Sequence, residues 1–148
     1  MKISTYLTFN GNCREAMIFY RDCLGGDLVF QTIGESPMAE KIPPQLKKYI
    51  LNATLINDSM VLTGTDMVGD QGLVKGNTVS LMLECADEEE IRKCYSRLSS
   101  GGRAHQPLER NYWGNLFGNL TDKFGNHWLL NCELHPILKP DKNFIDEF

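Results

Sequence analysis

The chain has 148 residues, of which 42% are hydrophobic and 23% charged. This composition is typical of one globular domain and excludes an intrinsically disordered chain, because enough apolar surface exists to offset the entropy of ordering. A net charge of −4 without a basic block argues against a nucleic-acid partner. No apolar run could span a bilayer, and the N-terminus lacks an apolar secretory signal, which predicts a cytoplasmic protein without membrane contact.

Two helices are predicted. Asn12 is placed to cap a helix that continues to Leu24, since apolar residues recur there at helical spacing and Gly25-Gly26 follows. Residues 87–100 form the second, where Asp87 and Glu90 match a capping box and Gly101-Gly102 ends the helix.

Alternating or apolar segments predict strands in the remaining chain. Their ranges are 3–9, 27–33, 50–56, 59–65, 77–84, 103–109, 112–121 and 127–133. Asn57-Asp58 is a hairpin-type turn, residues 35–48 are predicted as a loop, and residues 135–148 as an extended tail. Five cysteines without a CxxC motif lie in apolar patterns, which favours reduced core residues.

The order strand, helix, Gly-Gly and three strands occurs twice. Gly25-Gly26 and Gly101-Gly102 lie 76 positions apart, and Phe19 corresponds to Tyr95. This internal duplication predicts an α+β fold of two tandem βαβββ modules, about 1–70 and 75–134, whose curved mixed sheets surround a cleft.

Several short motifs lie in the two halves of the chain: Tyr6 to Asn12, Glu15-Ala16, Phe19-Tyr20, Leu24 to Gly26, Pro107-Leu108, Trp113-Gly114, Gly118, and Asp122 to Gly125 followed by Trp128. These motifs resemble those of the vicinal oxygen chelate superfamily, which includes glyoxalase I, bleomycin-resistance proteins and extradiol dioxygenases. Within it, the chain is similar to the PhnB-like branch, often labelled 3-demethylubiquinone methyltransferase-like. The resemblance covers residues 1–134 as a single domain of two modules.

Enzymes of this superfamily bind a divalent metal through His and Glu side chains from four strands. Here those positions fall at or within one residue of Thr5, Leu62, Ser80 and Leu129. None is His, Asp or Glu, so we expect no metal and no other cofactor. The three histidines are interpreted first as surface or structural residues, although His127 alternates with Leu129 and Asn131 and could face the cleft.

Three functions are compatible with this pattern. The first is a glyoxalase-fold protein that binds a small organic molecule without the family's metal, and the second is a metal-dependent lyase or transferase. The third is a non-catalytic interaction protein. Catalytic residues and enzyme activity stay undetermined, since a fold does not fix a function. Metal analysis separates the second function from the others, and a thermal-shift screen separates the first from the third.

The expected cleft combines apolar walls, including Trp113 and Phe117 on one strand face, with neutral hydrogen-bonding groups. This mixture suits a neutral or weakly polar organic molecule. The lining residues are Thr5, Asn52, Ser80, Met82, Trp113, Phe117, Leu129 and Asn131. The resemblance also implies a homodimer, consistent with apolar residues such as Pro37 and Met38 in the 35–48 loop.

Overall fold

The first of two compact units ends at Lys75, and the second begins at Gly76. The computed structural model describes residues 1–134, so the predicted tail at 135–148, including His135, lies outside the described residues. Each unit has one helix and four strands, which confirms the predicted α+β class and the two tandem βαβββ modules.

The first module consists of β1 (Thr5–Thr8), α1 (Cys13–Leu24), β2 (Asp27–Thr32), β3 (Ile50–Asn57) and β4 (Met60–Thr65). Its sheet has the order β1-β4-β3-β2, in which β1 and β4 are parallel and the other pairs antiparallel. The predicted loop between β2 and β3 contains three short 3₁₀ turns, Ile33–Glu35, Ala39–Lys41 and Pro44–Leu46.

The second module repeats this plan with β5 (Leu81–Cys85), α2 (Glu88–Ser99), β6 (Arg103–Arg110), β7 (Leu116–Thr121) and β8 (His127–Cys132). The strand order is β5-β8-β7-β6, again with one parallel pair, β5 and β8. Strand β5 begins at Leu81 rather than at residue 77. Its ladder with the parallel partner β8 starts where Leu81 pairs with Trp128.

Both helices pack onto their sheets through a glycine. In the first module, buried Cys13 and Met17 of α1 lie over β4, where a Cβ on Gly64 would stand 3.1 Å from either sulfur. In the second, a Cβ on Gly118 would stand 3.0 Å from the Tyr95 ring of α2 and equally close to the Gln106 carbonyl oxygen of β6. A larger residue would have to displace α1 in the first module, and α2 or β6 in the second, so each glycine permits the close packing of its helix on the sheet.

The helix starts differ from the prediction in one respect. Asn12 makes no side-chain cap; instead Asp66, which follows β4, accepts from the Gly11 and Cys13 backbone N–H groups at 3.0 and 2.9 Å. Asp87 does cap α2, since its carboxylate accepts from the Glu90 N–H at 2.8 Å. The Glu90 side chain accepts from the Ala86 N–H at 2.7 Å, one residue before the cap.

Candidate functional site

The second sheet presents one face to α2 and turns the other away from it. Trp128 and Leu130 are buried on the α2 side, so the alternating residues of β8, Leu129 and Asn131, point to the opposite side. We call this opposite side the distal face, and define it by Met82, Phe117, Asn119, Leu129 and Asn131, together with their paired neighbours.

Strand register arranges the distal face in rows that cross the sheet. In the first row Met82 pairs with Leu129, and Leu129 pairs with Asn119 on β7. In the second row Glu84 pairs with Asn131, which pairs in turn with Phe117. Paired residues in a ladder project to the same side, so apolar and amide side chains are direct neighbours here.

The first row combines an exposed apolar surface with a fixed amide. In this row Met82 is 55% exposed and Leu129 half-buried, and Phe117 of the second row is half-buried as well. At the other end of the row the Asn119 Nδ2 donates to the Gln106 Oε1 at 3.0 Å, which holds the Asn119 amide in place. The rows therefore present contact area for an organic group next to oriented hydrogen-bonding groups.

The second row leads into a polar pocket of about 380 Å³ beside Glu84, Asn131 and Glu133. Asn131 is 9% exposed, so its amide sits at the base of the pocket. Carboxylates dominate this end of the sheet. Burial, followed by the nearby Asp87, Glu88, Glu90 and Glu133 carboxylates, raises the pKa of the Cys132 thiol.

A third row contains two histidines joined by a threonine, an arrangement that the sequence analysis did not identify. His127 Nε2 lies 3.0 Å from the Gly76 carbonyl oxygen, which can only accept, so this nitrogen donates. In neutral His127 the Nδ1 then accepts from the Thr121 hydroxyl at 2.8 Å. The Thr121 oxygen in turn accepts from His105 Nε2 at 2.6 Å. His127 therefore lies on the distal face, within a defined chain of hydrogen bonds.

Trp113 does not lie on a strand, which corrects the prediction that it shares a strand face with Phe117. It belongs to the loop between β6 and β7, where the Asn111 Oδ1 accepts from the Trp113 and Asn115 N–H groups at 3.1 and 3.0 Å. Gly114 has a positive φ of 82° there. These contacts form a turn, so β7 begins only at Leu116 and Trp113 is 54% exposed.

The remaining predicted residues fall on different surfaces. Ser80 immediately precedes β5 and lies two positions before Met82. Asn52 pairs with Gln31 and is exposed on the first sheet, on the side opposite to buried Ala53. Thr5 pairs with Leu62, which is 4% exposed beneath α1, so Thr5 lies on the α1 side of that sheet. The structure thus brings together Met82, Phe117, Leu129 and Asn131 on the distal face of the second sheet, and Ser80 lies just before the strand that carries Met82.

The cysteines lie on the helix sides of the sheets. Cys13, Cys23, Cys94 and Cys132 are buried, Cys85 is half-buried, and none forms a disulfide. A hydrogen bond with Cys94, together with burial, raises the pKa of the Cys85 thiol above its ordinary value. A thiol of this kind stays protonated at neutral pH and is a poor nucleophile.

Comparison with known proteins identifies the family. The model of the glyoxalase/bleomycin resistance protein/dioxygenase superfamily matches residues 2–130. The crystal structure of protein PA1353 from Pseudomonas aeruginosa has 34% sequence identity to this chain and superposes on it with a TM-score of 0.77. The match covers 90% of this chain and 98% of PA1353. The PhnB protein of Bacillus cereus is 26% identical over 90% of this chain and all of its own, with a TM-score of 0.73.

Protein YjdN of Escherichia coli (strain K12) is 27% identical over 141 residues, which is 88% of this chain and 95% of that protein. The chain belongs to the glyoxalase/bleomycin resistance protein/dioxygenase superfamily, as the sequence motifs predicted. Within residues 1–134, no helix is long and apolar enough to cross a membrane.

The positions at which the sequence resemblance places the superfamily's metal ligands carry side chains that do not fit a divalent ion. Leu62 and Leu129 offer no donor atom, and Leu62 is buried beneath α1. Thr5 and Ser80 carry neutral hydroxyls, which supply none of the charge of an imidazole and carboxylate set. In the part of the chain that the structure describes, no three His, Cys, Asp or Glu side chains are grouped as a metal site.

Proposed function

We propose that the protein binds a small, neutral or weakly polar organic molecule on the distal face of the second sheet, without the divalent metal used by enzymes of the superfamily. The observation that carries this proposal is the pairing of Met82, Leu129 and Asn119 in one row beside Asn131 and Phe117 in the next. Apolar contact area and amide groups therefore lie within one ligand's reach.

The chemistry of these groups supports an organic ligand. Covering Met82 and Phe117 removes apolar surface from water, at about 25 cal/mol for each Å². The amides of Asn119 and Asn131 both donate and accept hydrogen bonds, so they suit carbonyl, hydroxyl or amide groups. Both amides are neutral and favour no particular charge on the ligand, whereas the Glu84 and Glu133 carboxylates beside Asn131 disfavour an anion.

A thermal-shift screen with a library of small organic compounds tests this proposal. We expect at least one compound to raise the melting temperature of the wild-type protein, since a ligand of the folded state stabilises it. The shift should be lost in Phe117→Ala and retained in Tyr112→Ala, whose side chain is 93% exposed in the neighbouring loop. A hit that shifts all three proteins equally, or no hit at all, would refute the proposal.

We also propose a homodimer, as is common in the superfamily. Met38 and Leu46, each 41% exposed in the segment between β2 and β3, supply apolar surface that association would cover. Light scattering of the full chain at tens of micromolar should give twice the chain mass of 16.8 kDa. A monomer mass would contradict this proposal and leave the ligand proposal unaffected.

A further inference from the structure

A groove of the first module lies between the start of α1 and the segment that leads into β3. Its volume is about 1020 Å³, and its walls include Arg14, Ile18, Pro44, Lys47, Lys48 and Tyr49. We call it the Tyr49 groove. It shares no residue with the distal face, which belongs to the other module.

Hydrogen bonds fix the walls of the Tyr49 groove. The carboxylate of Asp66 accepts from Gly11 and Cys13 through Oδ1 and from Ile50 through Oδ2, the last at 2.8 Å. It thereby ties the start of α1 to the start of β3. On the other side, the Lys47 carbonyl accepts from the Gly34 N–H and the Tyr49 carbonyl from the Ile33 N–H, both at 2.9 Å. The groove is thus held open before any ligand arrives, which lowers the entropic cost of binding.

The charges around the groove are unbalanced. Within residues 1–134, none of the three cations Arg14, Lys47 and Lys48 makes an ion pair. Arg14 lies 4.8 Å above the Phe30 ring and Lys48 5.6 Å above the Tyr49 ring, contacts that leave both positive charges in place.

Two carboxylates also line the groove, Glu15 and Asp66. Both oxygens of Asp66 accept backbone N–H groups, which direct this carboxylate toward the backbone but leave its negative charge in place. Three cations against two carboxylates leave the groove with one excess positive charge, on a chain whose net charge is −4. A bound anion would relieve the mutual repulsion of the cations.

The groove has apolar walls as well. Ile18, Pro44 and the Tyr49 ring line it beside the cations. An inorganic ion would leave these surfaces in contact with water, whereas an aryl or alkyl group would cover them.

We propose that the Tyr49 groove binds a small organic oxyanion, with its anionic group beside Lys47 and Lys48 and its aryl or alkyl group against Ile18, Pro44 and Tyr49. The site would be a second ligand site, independent of the distal face.

Binding of 8-anilinonaphthalene-1-sulfonate to the full chain tests this site, and N-phenyl-1-naphthylamine, which carries the same rings without the sulfonate, serves as the matched neutral probe. The informative variant is the double change Lys47→Gln and Lys48→Gln. Its control is Lys2→Gln with Lys41→Gln, which alters the net charge equally at exposed positions of the same module that do not line the groove. Circular dichroism verifies that both variants are folded.

We expect the dissociation constant of the sulfonate probe to rise about tenfold in the groove variant, since partly exposed charge pairs contribute modestly. It should change less than twofold in the control, and added salt should weaken wild-type binding. The neutral probe should bind both variants equally, and the wild type more weakly than the sulfonate does. Equal sulfonate affinity in the two variants, or equal affinity of the wild type for the two probes, would overturn the proposal.

Discussion

The indole Nε1 of Trp128 donates to the Asp122 Oδ2 at 2.8 Å, and both residues are 2% exposed. The other oxygen of the same carboxylate accepts from the Phe124 and Asn126 N–H groups at 2.8 and 3.1 Å. One buried side chain therefore shapes the turn after β7 and anchors β8. Since β8 carries His127, Leu129 and Asn131, this bond also sets the position of the distal face.

Replacing Trp128 by Phe should lower the free energy of unfolding by about 1–3 kcal/mol. The ring stays apolar, but the buried Asp122 Oδ2 loses a charge-assisted hydrogen bond. Urea unfolding measures the difference, and Trp113→Phe, at an exposed loop position, should change the stability by less than about 0.5 kcal/mol. Equal effects of the two substitutions would show that the bond contributes nothing.

Gly64→Ala should destabilise the first module by about 1–3 kcal/mol. The added methyl group would lie 3.1 Å from the Cys13 and Met17 sulfur atoms, so α1 or the side chains would have to shift. Gly69→Ala is the matched control, because a Cβ there meets nothing within 4 Å and its φ is not positive. If both variants unfold at the same urea concentration, the packing argument is wrong.

Alkaline pH should destabilise the protein through Cys13. Burial, reinforced by the Asp66 carboxylate and opposed by Arg14, raises the pKa of this thiol from 9.0 to about 12. The folded state then holds the proton more tightly than the unfolded state. The contribution of the Cys13 thiol to the free energy of unfolding is therefore complete below pH 9 and is lost between pH 9 and 12.

Between these pH values, the titration of one such thiol lowers the free energy of unfolding by about 1.4 kcal/mol for each pH unit. Comparing the free energy of unfolding of the wild type and Cys13→Ala across this range isolates the thiol, because the two proteins share every other titratable group. The variant should show the shallower decline. Identical slopes would mean that Cys13 titrates normally in the folded protein.

Local patterns in the sequence were sufficient to predict both helices and the duplicated order of strands. Helical spacing of apolar residues and the glycines after Leu24 and Ser100 depend on near neighbours only. The cap of α1 could not be predicted this way, because the Asp66 carboxylate accepts a hydrogen bond from the Cys13 N–H group, which lies 53 residues earlier in the sequence. Strand β7 was predicted to begin too early, since the Asn111 side chain stabilises a turn that alternation does not reveal.

The candidate site was predictable only in part. Alternation along β8 and β5 places Leu129, Asn131 and Met82 on one face once the strands are known. The chain from His105 through Thr121 to His127 depends on the register of β6 against β7, which shifts between Ala104 and Gln106. An irregular register is a property of the folded sheet, so no spacing in the sequence could predict this contact.

The most direct test of the account is the affinity of a thermal-shift hit, measured by isothermal titration calorimetry before and after exhaustive treatment with EDTA. The distal face carries Glu84 and His127 besides its amides, hydroxyls and apolar residues, but within residues 1–134 these are not grouped as three ligands of one ion, so we expect the ligand to bind without a metal. We predict the same dissociation constant, within twofold, in both preparations. Loss of binding after EDTA, restored by stoichiometric zinc, nickel or manganese and abolished by changing Ser80 or Asn131, would contradict the account.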